Sequence, residues 1–280
     1  MSYRIIVDSC CDLTPEKKAD PHFVSIPLTI ELDGKTYVDD ETFNQKEFLA
    51  AVAASDGCAK TACPSPEAYR DACVCDAEHI FAVTISQHLS GSYNSAVLGT
   101  NLYLEENPDS GKQIHVFSSD SACCGEALVA FKIQELCEKA LPFEEIVEQV
   151  QDFLDHMKTY FVLEDMETLR KNGRLSGLAA LVVSALNIKP VMSANHGVII
   201  RLGQTRGLDR ALKSMVDHVI REVKEPEKKI LGIVHVNCPE RAEKVKRMLC
   251  EKARFLSVYV AEAGGLSTTY ANDGGIVVSV

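Results

Sequence analysis

Hydroxyl groups crowd one stretch of this chain. From Thr84 to Ala96 it reads Thr-Ile-Ser-Gln-His-Leu-Ser-Gly-Ser-Tyr-Asn-Ser-Ala, which sets Ser86, Ser90, Ser92 and Ser95 around Gly91. A single Ser-Gly pair is accounted for by helix capping, since serine is a favoured cap and glycine lets the chain turn. Four serines exceed what one cap needs. Hydroxyls beside the free N–H groups and positive dipole end of a helix start make a site for an anion, a carboxylate or a phosphate. Two catalytic alternatives lack their patterns: neither the nucleophile elbow Gly-x-Ser-x-Gly nor the full Walker phosphate loop occurs.

The flanking residues supply the elements this site needs. Residues 80–85 are apolar and β-branched, as in a strand buried on both faces, and Tyr93, Ala96, Val97, Thr100 and Leu104 recur at helical spacing until Pro108. Upstream, residues 4–7 read as a buried strand that ends at Asp8 and Asp12. There Asp8 is expected to hold the loop and Asp12 to cap the helix announced by Thr14-Pro15. Asp33-Gly34 marks a hairpin, and Asn44 with Glu47 a capping box. Ser65 and Pro66 open a helix, which leaves the hydroxyl of Thr61 upstream of the cap as a second donor for the anion. Further strand and helix patterns alternate to residue 157, the signature of βαβ units around a parallel sheet.

The texture then changes. A strand over 160–163, a short helix ended by Asn172-Gly173, Arg174, and an apolar helix over 178–186 come first. A hairpin around Ser193–Gly197 and a strand-helix-strand unit follow, and a Gly-, Ser- and Thr-rich tail over 263–275 precedes a last strand. These signals predict a mixed sheet with helices on one face. The fold class is therefore α/β: a parallel-sheet domain over 1–157, and a second α/β domain with a mixed sheet over 158–280.

Composition narrows the partners. A formal net charge of -11 over 280 residues repels nucleic acid and anionic membranes. Apolar runs fall short of a membrane span, and a cytoplasmic protein is expected. None of the eleven cysteines has C-x-x-C spacing, and the eight histidines include no His-x-x-x-His pair, so no metal is expected and the thiols are expected reduced.

In order along the chain, Asp8-Ser9 with Asp12-Leu13, Thr61 with Pro64-Ser65, Ile85-Ser86 with Leu89-Ser90-Gly91-Ser92-Tyr93, Leu169 with Gly173-Arg174, Ile188-Lys189-Pro190 with Gly197, and Glu262 with Gly264 resemble the DegV family. These are bacterial fatty-acid-binding proteins that present an acyl chain to a separate fatty-acid kinase for acyl-phosphate formation in phospholipid synthesis. The resemblance spans essentially the whole chain. It implies a three-layer α/β/α parallel-sheet domain over 1–157 followed by a two-layer α/β domain with a mixed sheet over 158–280 that closes over the ligand headgroup, and a long-chain fatty acid as ligand, its tail inside the first domain and its carboxylate at the domain junction, with no cofactor and no catalytic residue. Carried over, the ligand-binding residues are Thr61, Ser90 and Arg174, with Gly91 and Ser92 of the same turn and Tyr270. The chain departs from the family in two places: Cys63 stands where members commonly carry Gln, and Tyr270 where they carry His, which keeps a hydrogen-bond donor but not an imidazole.

Two enzyme readings stand against the carrier. A serine esterase would need a base beside Ser90, for which His88 is the local candidate, and the substrate-holding half of a small-hydroxyketone kinase would need a polar pocket. A vestigial pocket on an interaction protein is a third reading.

Overall fold

A computed structural model of the chain describes residues 2–175 and 187–280. The apolar helix expected over 178–186 lies outside the described residues. The first half runs β1 (Tyr3–Asp8), α1 (Pro15–Lys18), β2 (Phe23–Ile26), β3 (Thr29–Leu32), β4 (Lys35–Val38), α2 (Gln45–Ala54), β5 (Lys60–Ala62), α3 (Pro66–Ala72), β6 (His79–Thr84), α4 (Ser92–Glu106), β7 (Gln113–Ser118), α5 (Cys124–Glu138) and α6 (Phe143–His156). The second runs β8 (Thr159–Val162), α7 (Glu167–Lys171), β9 (Ile188–Asn195), β10 (Val198–Arg206), α8 (Leu208–Glu222), β11 (Ile230–His235), α9 (Pro239–Cys250), β12 (Ser257–Glu262), α10 (Gly265–Ala271) and β13 (Ile276–Ser279).

Strands β2-β1-β6-β7 form a wholly parallel sheet. Period-two alternation decides what covers it. Ile6, Ile80 and Ala82 point to Tyr69 and Cys73 of α3 and to Ala96 of α4. Ile5, Val7, Phe81 and Val83 point the other way, to α5 and α6. A three-layer α/β/α unit results, as its continuous apolar strands require.

The second sheet has the order β10-β9-β8-β13-β11-β12 and is mixed, with β11 and β12 its parallel pair. One face receives α8 and α9 through Leu212, Val216, Val245 and Leu249. The other is not open to water. Val234, Tyr259 and Val277 turn toward α5, so that helix lies between the two sheets and serves both cores. Its face-all-round burial, from Cys124 through Leu128 to Leu136, is the consequence.

A third, small antiparallel sheet, β4-β3-β5, stands beside these. The Asp33-Gly34 turn closes its hairpin, both residues having positive φ (50° and 76°), as a two-residue turn between twisted strands requires. Thr61, expected upstream of the Ser65 cap, sits in β5 opposite Ile30. The tail also differs from expectation: residues 265–271 form α10, a helix that its Gly, Ser and Thr content does not advertise.

Candidate functional site

An apolar cavity opens at the carboxyl ends of the parallel strands, where α/β sheets place their ligands. It holds about 100 Å³ of open space. Packed interiors leave few voids larger than a water, so this is a built feature. Cys10, Ile85, Leu89 and Cys123 face it from the first half, and Phe161, Leu163, Leu169, Ile199, Leu266 and Val277 from the second. The lining is thus shared between the two halves of the chain. Helices α3 to α6 cover both faces of the parallel sheet, and the free volume lies beyond the carboxyl ends of its strands, against the mixed sheet.

Four of the six candidate ligand residues, Thr61, Ser90, Arg174 and Tyr270, line this cavity. They come from four different elements, each fixed locally. Arg174 follows a Schellman turn at the end of α7: its N–H reaches Leu169 O at 2.8 Å, the N–H of Gly173 reaches Arg170 O at 3.0 Å, and Gly173 takes the required positive φ of 77°. The Arg174 Nε donates to Leu89 O at 3.2 Å and Nη1 to Asn172 O, which aims the guanidinium at the Ser90 turn. Asn172 Nδ2 donates to Ala59 O at 3.0 Å and ties this loop to the strand that carries Thr61. Thr61 Oγ1 and the Tyr270 hydroxyl are 2.8 Å apart, and the guanidinium carbon lies 5.8 Å from the centre of the Tyr270 ring.

Donor accounting shows what this cluster can still do. Each hydroxyl can donate once. In the Thr61–Tyr270 pair one donates to the other, which leaves one O–H to offer. Ser90 Oγ accepts the Ser92 N–H at 3.2 Å, so its own O–H remains, as does Nη2 of Arg174, with no partner among the described residues. Two hydroxyls and a cation converging at the edge of an apolar cavity fit a single carboxylate.

Gly91 and Ser92 do not line the cavity. Gly91 occupies the cap position of α4 without a side-chain bond, and a Cβ there would come within 3.2 Å of Cys63 Sγ. Ser92 is buried behind the turn, its hydroxyl 2.9 Å from that of Tyr69.

Sequence reasoning singled out Asp8 and Asp12 at the end of the first strand, but not that they join Asp39 and Glu126 in a group of buried acids. The Asp39 carboxylate accepts the N–H groups of Gly265 and Leu266 and the hydroxyl of Ser9, and Asp12 accepts the N–H of Gly264 at 2.6 Å. Both therefore cap α10, which carries Ser267 and Tyr270. Asp12 is not the cap of α1: Thr14 takes that place, accepting Lys17 N–H. Asp8 binds the N–H groups of Cys10 and Ile85, each at 3.0 Å. Glu126 of α5 is fully buried with both carboxyl oxygens unpartnered, and ligand atoms of Asp8, Cys10 and Glu126 lie within 4.8 Å of one another. Burial pushes Asp8 up to about 6 and Asp12 to about 7, and raises Asp39 and Glu126. No spacing in the sequence announces this group, because its members come from β1 and the loop after it, from the residue after β4 and from α5, and meet only in the folded chain.

The family described as uncharacterised protein, DegV family, matches residues 2–280. A DegV family protein from Ruminococcus gnavus ATCC 29149, solved with vaccenic acid, is 50% identical at a TM-score of 0.96, the match covering 100% of this chain and 99% of that one. The Streptococcus pneumoniae fatty acid kinase (Fak) B3 protein loaded with linoleic acid is 33% identical at a TM-score of 0.91, with 100% and 99% covered. A DegV domain-containing protein of Streptococcus pneumoniae strain R6 is 35% identical over 285 residues, 99% of this chain and 98% of that one. With one family model and full-length relatives agreeing on the same fold, the chain belongs to the DegV family.

Proposed function

We propose that this protein is a non-catalytic carrier of a long-chain fatty acid. It holds the carboxylate among Ser90, Arg174 and the Thr61–Tyr270 pair, and presents it to a separate fatty-acid kinase that supplies ATP and metal. The observation that carries this reading is the juxtaposition of three spare donors with an apolar cavity. Each methylene buried contributes ~0.8 kcal/mol, so a long chain gains on the order of 10 kcal/mol before ordering and desolvation are subtracted. That supports tight binding without chemistry by this chain.

The competing readings find less support. Ser90 makes no hydrogen bond to His88 among the described residues, so an esterase would lack its base. A hydroxyketone site would want polar walls, whereas these are mostly aliphatic and aromatic. The neighbours' ligands, vaccenic and linoleic acid, point the same way.

The test is direct. The purified protein is denatured and extracted with organic solvent, and the released material identified by mass spectrometry. Stoichiometric fatty acid is expected; a clean extract together with turnover of a model ester would overturn the proposal. Acyl-phosphate formation only when a fatty-acid kinase and ATP are added would establish the hand-over.

A further inference from the structure

The short helix that delivers Arg174 cannot hold itself in place. Helix α7 has five residues, too few for a helix to persist alone in water, and the exposed Arg170–Glu167 pair on it adds little. Leu169 is its buried side chain, and Leu169 faces the open cavity. The direction of the guanidinium must therefore be set by bonds that cross from this segment to the first half of the chain.

Asn172, at the end of α7, makes such a crossing with its side chain. Its Nδ2 donates to Thr168 O within the helix and to Ala59 O across the gap, each at 3.0 Å, and reaches Cys58 Sγ at 3.5 Å. Two carbonyl oxygens as acceptors settle which way the amide lies, since the reverse would set oxygen against oxygen. Ala59 is buried, and the strand after it, β5, is held in its sheet by β3. The strand is thus the fixed partner and the α7 loop the one that is held.

The backbone of the same residue completes the arrangement. Asn172 O accepts from Nη1 of Arg174, so one residue both grips the first half and aims the guanidinium. Beside it, Gly173 would have nothing within 4 Å of a Cβ, which gives the turn room to swing once the grip is lost. Read from sequence, Asn172 only ends a helix before a glycine; its contact with Ala59 exists only in the folded chain.

Resting on the fatty-acid reading above, we propose that Asn172 is a positioning residue for the carboxylate site. It does not line the cavity. By clasping the α7 loop to the start of β5 it keeps Arg174 turned toward Ser90 and the Thr61–Tyr270 pair, and it joins the two halves of the chain where the charge of the ligand is held.

The experiment measures displacement of a fluorescent fatty acid from wild type, Asn172→Ala, Asn172→Leu, Arg174→Ala and the double variant Asn172→Ala/Arg174→Ala. Leucine keeps the volume without the N–H and covers the case in which alanine leaves the chain poorly folded. Each Asn172 variant is expected to bind about three- to tenfold more weakly, the worth of one such hydrogen bond. In the Arg174→Ala background the alanine substitution is expected to cost less than about twofold, because the group it positions is gone. A residue with a merely structural role would weaken binding by the same factor whether Arg174 is present or not. That result, or unchanged affinity in a folded Asn172 variant, would overturn the clasp while leaving the carrier reading intact. A wild type that binds no fatty acid would overturn both.

Discussion

Arg174 is the residue on which headgroup binding turns, because its guanidinium combines a fixed direction with a spare donor face. Arg174→Ala is expected to weaken fatty-acid binding by about 10- to 100-fold, the ~1.5–3 kcal/mol of a hydrogen bond to a charged group, as measured by displacement of a fluorescent acid. Arg174→Lys should restore only part of this, since an ammonium cannot hold Leu89 O and a carboxylate in one plane. The serine-rich turn and Thr61 were visible as donors in the residues themselves, whereas Arg174, and its meeting with the Ser90 turn, came only through the family resemblance. Ser90 and Arg174 are far apart in sequence, and the Arg174 Nε–Leu89 O contact joins their two turns. Of the Gly91–Ser92 pair, sequence could not tell that Ser92 turns inward to Tyr69.

At the scale of elements, α10 depends on two buried carboxylates for its N-terminus. Asp39→Ala leaves two buried N–H groups and the Ser9 hydroxyl without their acceptor. It is expected to lower stability by about 2 kcal/mol and to loosen Tyr270, read as a fall in both melting temperature and fatty-acid affinity. Acidity enters through the same groups. Asp8 and Asp12 bind their protons more tightly in the folded protein than in the unfolded chain. Their contribution is therefore fully present below about pH 4 and lost as pH rises through about 6 and 7. His115 and His235, whose burial lowers them, act in the opposite direction over part of this range. The discriminating measurement is consequently a difference: between pH 5 and 8, Asp12→Asn should lose less urea resistance than wild type. Helix α5 offers a complementary prediction. Glu126→Met replaces an unpartnered carboxyl by an apolar side chain of similar size and should raise stability by about 1 kcal/mol or more in urea unfolding. Caps and turns were the legible part at this scale: Thr14, Asn44 and Ser65 all accept the N–H groups their patterns predict. Helix α10 was not legible, since its stability comes from Asp12 and Asp39, more than two hundred residues away, and not from its own propensity.

For the molecule as a whole, strand order was the hidden quantity. The alternation of strands and helices announces a parallel sheet, but nothing local says that the last strand, β13, inserts between β8 and β11, or that β5 joins β3. Such pairings are settled by which faces can be buried together. Because the loops that follow the parallel strands and the strands of the mixed sheet both line the cavity, a bound acid should stabilise the two halves jointly. Delipidated protein is expected to melt earlier than loaded protein in one cooperative step, with a gain of ~2.7 kcal/mol when free acid is at one hundred times the dissociation constant. A calorimetric trace in which only one of two transitions moves would contradict this.

The position of α5 has a consequence for any attempt to divide the chain. We propose residues 157 and 158 as the seam between the halves, yet the helix that roofs the second sheet is encoded before it. A truncated gene starting at Lys158 would yield a product with Val234, Tyr259 and Val277 bare on one side, a greasy plane prone to self-association. Such a fragment should collect in inclusion bodies and be rescued by co-expressing the missing piece, so the two halves are inherited, and lost, together.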